Sequence, residues 1–107
     1  MPSDSPARAS APCRILVVDD DRRMASGLAQ WLCGEGFHAS AAGSAAEAMH
    51  ASARGAFDAC VVDALLPGDG AVAVAEAVRR ARPHAAVVAA TRSGVEAPRG
   101  LRADAIV

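Results

Sequence analysis

The sequence predicts an α/β domain: an open parallel sheet with helices on both faces. Three observations predict it. Short apolar runs of strand length alternate with segments of helical periodicity. The runs Ile15-Leu16-Val17-Val18 and Ala59-Cys60-Val61-Val62 are continuously apolar and rich in β-branched residues, as expected of strands buried on both faces. Each run then closes in carboxylates, Asp19-Asp20-Asp21 and Asp63. Acids at the carboxyl ends of strands lie where open α/β sheets bind ligands.

The elements follow in order. Residues 1–12 are rich in Pro, Ser and Ala, lack periodicity and read as a disordered leader. They hold no apolar segment of the secretory-signal kind. Arg14 to Val18 is the first strand. Asp21 suits the N-cap of a helix from about Arg22 to Cys33. Met24, Leu28, Trp31 and Leu32 give that helix one apolar stripe, so Trp31 is expected to pack inward, and Gly34 and Gly36 end it. Phe37 to Ala41 is a weaker second strand. Ser44 with Glu47 makes a capping box for an Ala-rich helix that reaches Arg54 and stops at Gly55.

Strand three covers Asp58 to Val62 and ends in Asp63. Pro67-Gly68-Asp69-Gly70 is a turn cluster. A helix over Ala71 to Arg82, with Val74, Ala77 and Val78 inward, is broken by Pro83. Ala85 to Ala90 is strand four, closed by Thr91. A short helical piece is expected over Val95 to Arg102, and Asp104-Ala105-Ile106-Val107 opens a fifth strand. Right-handed crossovers join strands of this kind.

Composition narrows the function classes. The 107 residues suit one domain. They are 52% hydrophobic but only 3% aromatic, so the core is assembled from Ala, Val and Leu. A net charge of -1 indicates no nucleic-acid footprint, and no apolar run is long enough to span a membrane. All 11 basic residues are Arg, which excludes Schiff-base and P-loop lysine chemistry within these residues. Cys13, Cys33 and Cys60 form no CxxC pair, so a zinc site is not expected. Three reduced thiols without a signal peptide fit a cytoplasmic setting, with Cys60 buried and inert. His38, His50 and His84 stand alone and read as surface residues.

If strands one and three are parallel neighbours, their chains run ~4.8 Å apart. Asp63 then approaches Asp19 and Asp20, and clustered carboxylates resist joint ionisation unless a cation joins them. Mg²⁺ suits a site of few oxygen ligands. Asp21 and Asp69 read as cap and loop residues instead.

The acidic pair after strand one, the Asp after strand three followed by a Pro, and the Thr after strand four resemble the receiver domain of two-component response regulators. The match runs over residues 14–107, with 13–107 as one domain. The resemblance implies a flavodoxin-like (CheY-like) doubly wound sheet of five strands, order 2-1-3-4-5, with the last helix missing. It implies that Asp63 is the phosphoacceptor, that Asp19, Asp20, Asp63 and the backbone carbonyl of Leu65 hold Mg²⁺, and that Thr91 donates its hydroxyl to the phosphoryl group. A sensor histidine kinase would supply that group. An output domain or partner would read the face of the fourth helix and fifth strand, where homodimers also form. Such a chain modifies itself and is not a turnover enzyme.

Two other readings follow from particular residues. The family's pocket Lys would fall just past Val107, Arg92 follows Thr91, and Ile106 stands where the family has an aromatic switch residue. These motivate an interaction module that works without phosphorylation. Asp19 and Asp21 also form a DxD after a strand, as in Mg²⁺-dependent phosphohydrolases, although Arg22-Arg23 departs from that motif.

Overall fold

The computed structural model describes residues 12–92 and 96–107. The leader expected over residues 1–12 falls outside them, apart from Pro12. The described elements are β1 (Arg14–Val18), α1 (Arg22–Gly34), β2 (His38–Ala42), α2 (Ala45–Arg54), β3 (Ala59–Asp63), α3 (Gly70–Ala81), β4 (Ala86–Ala90) and β5 (Ala105–Ile106). The strands form one parallel sheet in the order β2-β1-β3-β4-β5. This is the expected doubly wound topology.

The sheet separates two apolar layers. On one face, Leu16, Val18, Cys60, Val62 and Val87 pack beneath α2 and α3 through Ala48, Val74 and Val78. On the other, Ile15 and Val17 pack beneath α1. Alternate residues of β1 therefore serve opposite faces, and every apolar residue in the strand is buried. Burial raises the Cys60 thiol to about 12, which makes it an inert core residue as expected.

Alpha-1 is rotated from the expected face: Leu32 is buried as expected, but Met24 and Trp31 are not. Its inward residues are Ala25, Ala29 and Leu32, whereas Met24 and Trp31 are each 62% exposed and Leu28 lies at the margin. The three inward positions follow helical spacing just as the four expected ones do. Small Ala side chains let the helix sit close to Ile15 and Val17, and that fixes its rotation. On the same sheet face Val61 and Val88 are half-buried.

The expected helix over Val95 to Arg102 is absent from its described part. Residues 96–102 are irregular, with a turn at Arg99-Gly100 and Gly100 at φ +85°. Pro98 lacks an N–H, and Gly100 takes a left-handed conformation that ends helices. Val95 lies outside the described residues.

The end of the sheet opposite the acids is tied by two similar devices. Asp58, just before β3, accepts the backbone N–H of Arg14 at 2.8 Å and the guanidinium of Arg82 at 2.7 Å. Asp104, just before β5, accepts the N–H of Val87 at 2.8 Å and the guanidinium of Arg79 at 2.9 Å. Arg79 in the last turn of α3 and Arg82 at its C-cap thus pin two strand starts to their neighbours.

Candidate functional site: a carboxylate cluster at the sheet edge

The register of the two central strands builds the site. Val18 of β1 stands opposite Val62 of β3, so the chain leaves both strands at the same level. The Asp19 amide donates to the Ala42 carbonyl of β2 at 3.1 Å, which extends the sheet by one step and fixes the direction of Asp19. One carboxylate oxygen from each of Asp19, Asp20 and Asp63 then falls within 4.8 Å of the others. The expected gathering of these acids is present.

The surrounding hydrogen bonds separate the acids by role. Asp21 caps α1, its side chain accepting from the amides of Arg23 at 3.1 Å and Met24 at 3.3 Å. It is a cap residue as expected. Asp69 occupies the N-cap position of α3 without a side-chain capping bond. The Asp21 amide donates to the Asp19 carboxylate at 2.9 Å, and the Leu65 amide donates to the Asp63 carboxylate at 2.8 Å. Each bond fixes an acid while leaving oxygen lone pairs open.

Partial burial raises the Asp19 carboxyl above its ordinary value. The charges of Asp63, Asp20 and Asp21 push it further up, while the bond from the Asp21 amide opposes the rise. A set of hard oxygen donors with excess negative charge fits a divalent, oxygen-seeking cation.

Thr91 lies one residue beyond Ala90, which is in register with Asp63. Its hydroxyl donates to the Val107 carbonyl at 3.0 Å, and its amide donates to the same oxygen at 2.8 Å. Leu65 is exposed beside the acids. Arg23, read from the sequence only as a departure from the DxD motif, lines an apolar groove of 340 Å³ together with Asp19, Asp63, Met24 and Leu28. Its signal was its place one turn after the strand-end acids. The pairing of Arg22 was not read from the sequence. The Arg22 side chain crosses Gly43, where a Cβ would lie 2.7 Å from its guanidinium carbon, to pair with Glu47. Glu47 also accepts from the Gly43 amide at 3.1 Å, so the capping box closes one residue before the Ser44 cap.

An open parallel sheet of this order, with acids gathered at the carboxyl edge of its central strands, defines the flavodoxin-like class. The family model of the response regulator receiver domain matches residues 15–106. The chain belongs to that family, the receiver domains of two-component signalling. No curated protein sequence matches it. The chemotaxis response regulator CheY4 of Vibrio cholerae superposes with a TM-score of 0.76 at 18% identity, over 90% of this chain and 85% of that one. The response regulator TrrA of Thermotoga maritima, solved with Mg²⁺-BeF, gives 0.73 at 30% identity over 89% and 84%. A receiver protein of Sinorhizobium medicae gives 0.73 at 27% identity over 90% and 81%. Among the described residues no helix is long and apolar enough to cross a membrane.

Proposed function

We propose that Asp63 accepts a phosphoryl group and that Asp19, Asp20, Asp63 and the Leu65 carbonyl hold the Mg²⁺ this requires. The single observation that carries the reading is the approach of three carboxylates, 44 positions apart from Asp19 to Asp63, to within 4.8 Å. The ligand of TrrA, Mg²⁺-BeF, is of the kind such a site would take.

A carboxylate oxygen of Asp63 attacks phosphorus and forms the P–O bond of an acyl phosphate. The bond to the donor breaks, and its electron pair leaves with the donor nitrogen or oxygen. Bound Mg²⁺ supplies charge neutralisation between the carboxylates and the incoming anion. The Leu65 amide holds the Asp63 carboxylate in place. The Thr91 hydroxyl is the movable part. It now donates to Val107, and a phosphoryl oxygen offers it a stronger, charged acceptor. Its transfer would release the backbone at Val107 next to β5 for an output domain, a partner or a second copy.

The donor in this reading is a sensor histidine kinase, and the setting is the cytoplasm. The protein changes its own state and does not turn over a substrate. Arg92 beside Thr91 and the engagement of the Thr91 hydroxyl by Val107 favour a second reading, in which the domain docks partners without being phosphorylated.

Incubation with Mg²⁺ and acetyl phosphate, followed by intact-mass measurement, tests the proposal. One phosphoryl adduct that is lost in Asp63→Asn is expected. No adduct, or an adduct that survives Asp63→Asn, contradicts it.

A further inference from the structure

A second groove of 760 Å³ lies between β2 and α2, outside the acid cluster. Alpha-2 packs chiefly against α3. Where it faces β2, the side chains are small: Ser40 and Ala42 on the strand, Ala46 and Ala51 on the helix. No bulky residue fills the gap, and the buried Leu16 and Phe57 are left as its floor. The volume lies within the ~300–1,000 Å³ typical of small-molecule sites.

The groove is cationic and its main cation is fixed. The Arg14 guanidinium lies over the Phe57 ring at 4.9 Å and donates to the Ala56 carbonyl at 3.0 Å. It runs beside Gly55, where a Cβ would sit 3.0 Å from Nη1. Glu47, His50, Ala51 and Arg54 follow at helical spacing on the face of α2 that lines the groove. Glu47 is engaged by Arg22 and by the Gly43 amide. Among the described residues neither the Arg14 nor the Arg54 guanidinium pairs with a carboxylate.

We propose that this groove binds an aromatic phosphate monoester of mononucleotide size. Its ring lies along the Ala46–Ala51 wall above the buried floor, beside the Arg14 guanidinium that covers Phe57, and its phosphate is held between Arg14 and Arg54. Arginine forks match phosphate oxygens, and an already immobilised guanidinium loses little freedom on binding.

Titration of the ¹⁵N-labelled chain with guanosine monophosphate, and separately with inorganic phosphate, tests this. Saturable amide shifts confined to 14–16, 40–42 and 46–57 are expected with the nucleotide, and weaker binding with phosphate alone. Arg54→Glu lies on an exposed helix end and should keep the fold while raising Kd about tenfold or more, as loss of one charged hydrogen bond implies. Ala51→Leu fills the groove from a half-buried position and should abolish nucleotide binding. Equal affinity for free phosphate would remove the aromatic half of the proposal. Shifts centred on Asp19 and Asp63, or none up to about 5 mM nucleotide, would overturn it, as would wild-type affinity in folded Arg54→Glu.

Discussion

Val18 and Val62 stand opposite each other in the register of β1 and β3, and the residues that follow them, Asp19 and Asp63, come side by side at the carboxyl edge of the sheet. The apolar pair is buried and sets the register, which in turn sets the distance between the charges. Packing and chemistry in this domain share the same two strands.

The first prediction concerns metal-free stability. Burial and neighbouring acids raise the folded-state carboxyl of Asp19 above its unfolded value. The folded state therefore holds that proton more tightly. The contribution to stability is full below the unfolded pKa and is lost as pH rises through the folded one. In the absence of divalent ions, Asp19→Asn should flatten that loss and stabilise the protein by about 1 kcal/mol at neutral pH. Urea unfolding of both proteins from acidic to neutral pH checks it.

Metal should reverse the penalty. At a Mg²⁺ concentration of 100 Kd, binding to the folded state alone adds about 2.7 kcal/mol. Thermal melts should show an increase in Tm that disappears in Asp20→Ala, whose exposed side chain has no other described partner.

Asp104 should behave in the opposite sense from Asp19. Its bond from the Val87 amide, and then Arg79, hold its carboxyl below the ordinary value. Its contribution is present above the unfolded pKa and is lost as pH falls through the folded one. Asp104→Ala should speed hydrogen exchange at Val87 and loosen β5. Asp104→Asn keeps an acceptor for that amide and should have the smaller effect.

Exposure separates two large apolar residues. Leu16 is 0% exposed at the centre of the sheet, and Leu16→Ala should destabilise by about 3 kcal/mol. Trp31 is 62% exposed, and Trp31→Ala should change stability by no more than about 0.5 kcal/mol. Denaturant titrations of both variants give the comparison.

Much of this fold was legible because its signals are local. The continuous runs at 15–18 and 59–62 mark the central strands, Asp21 and Ser44 mark two helix starts, and the order of acids and Thr91 marks the family. The rotation of α1 was not legible. In an Ala-rich helix several faces have helical spacing, and the choice of Ala25 and Ala29 over Met24 and Trp31 depends on how closely the backbone approaches β1. Pro98 and Gly100 outweighed the expected helix after β4. The Arg22 bridge to Glu47 joins positions 25 residues apart and needs Gly43 to let it pass, so neither segment alone reveals it.

The most direct measurement replaces Mg²⁺ by paramagnetic Mn²⁺, which takes similar oxygen ligands. Substoichiometric Mn²⁺ added to the ¹⁵N-labelled chain should broaden the amide signals of 19–21 and 63–65 together, and excess Mg²⁺ should restore them. Broadening of one segment without the other, or at unrelated acids, would contradict a single metal pocket shared by β1 and β3.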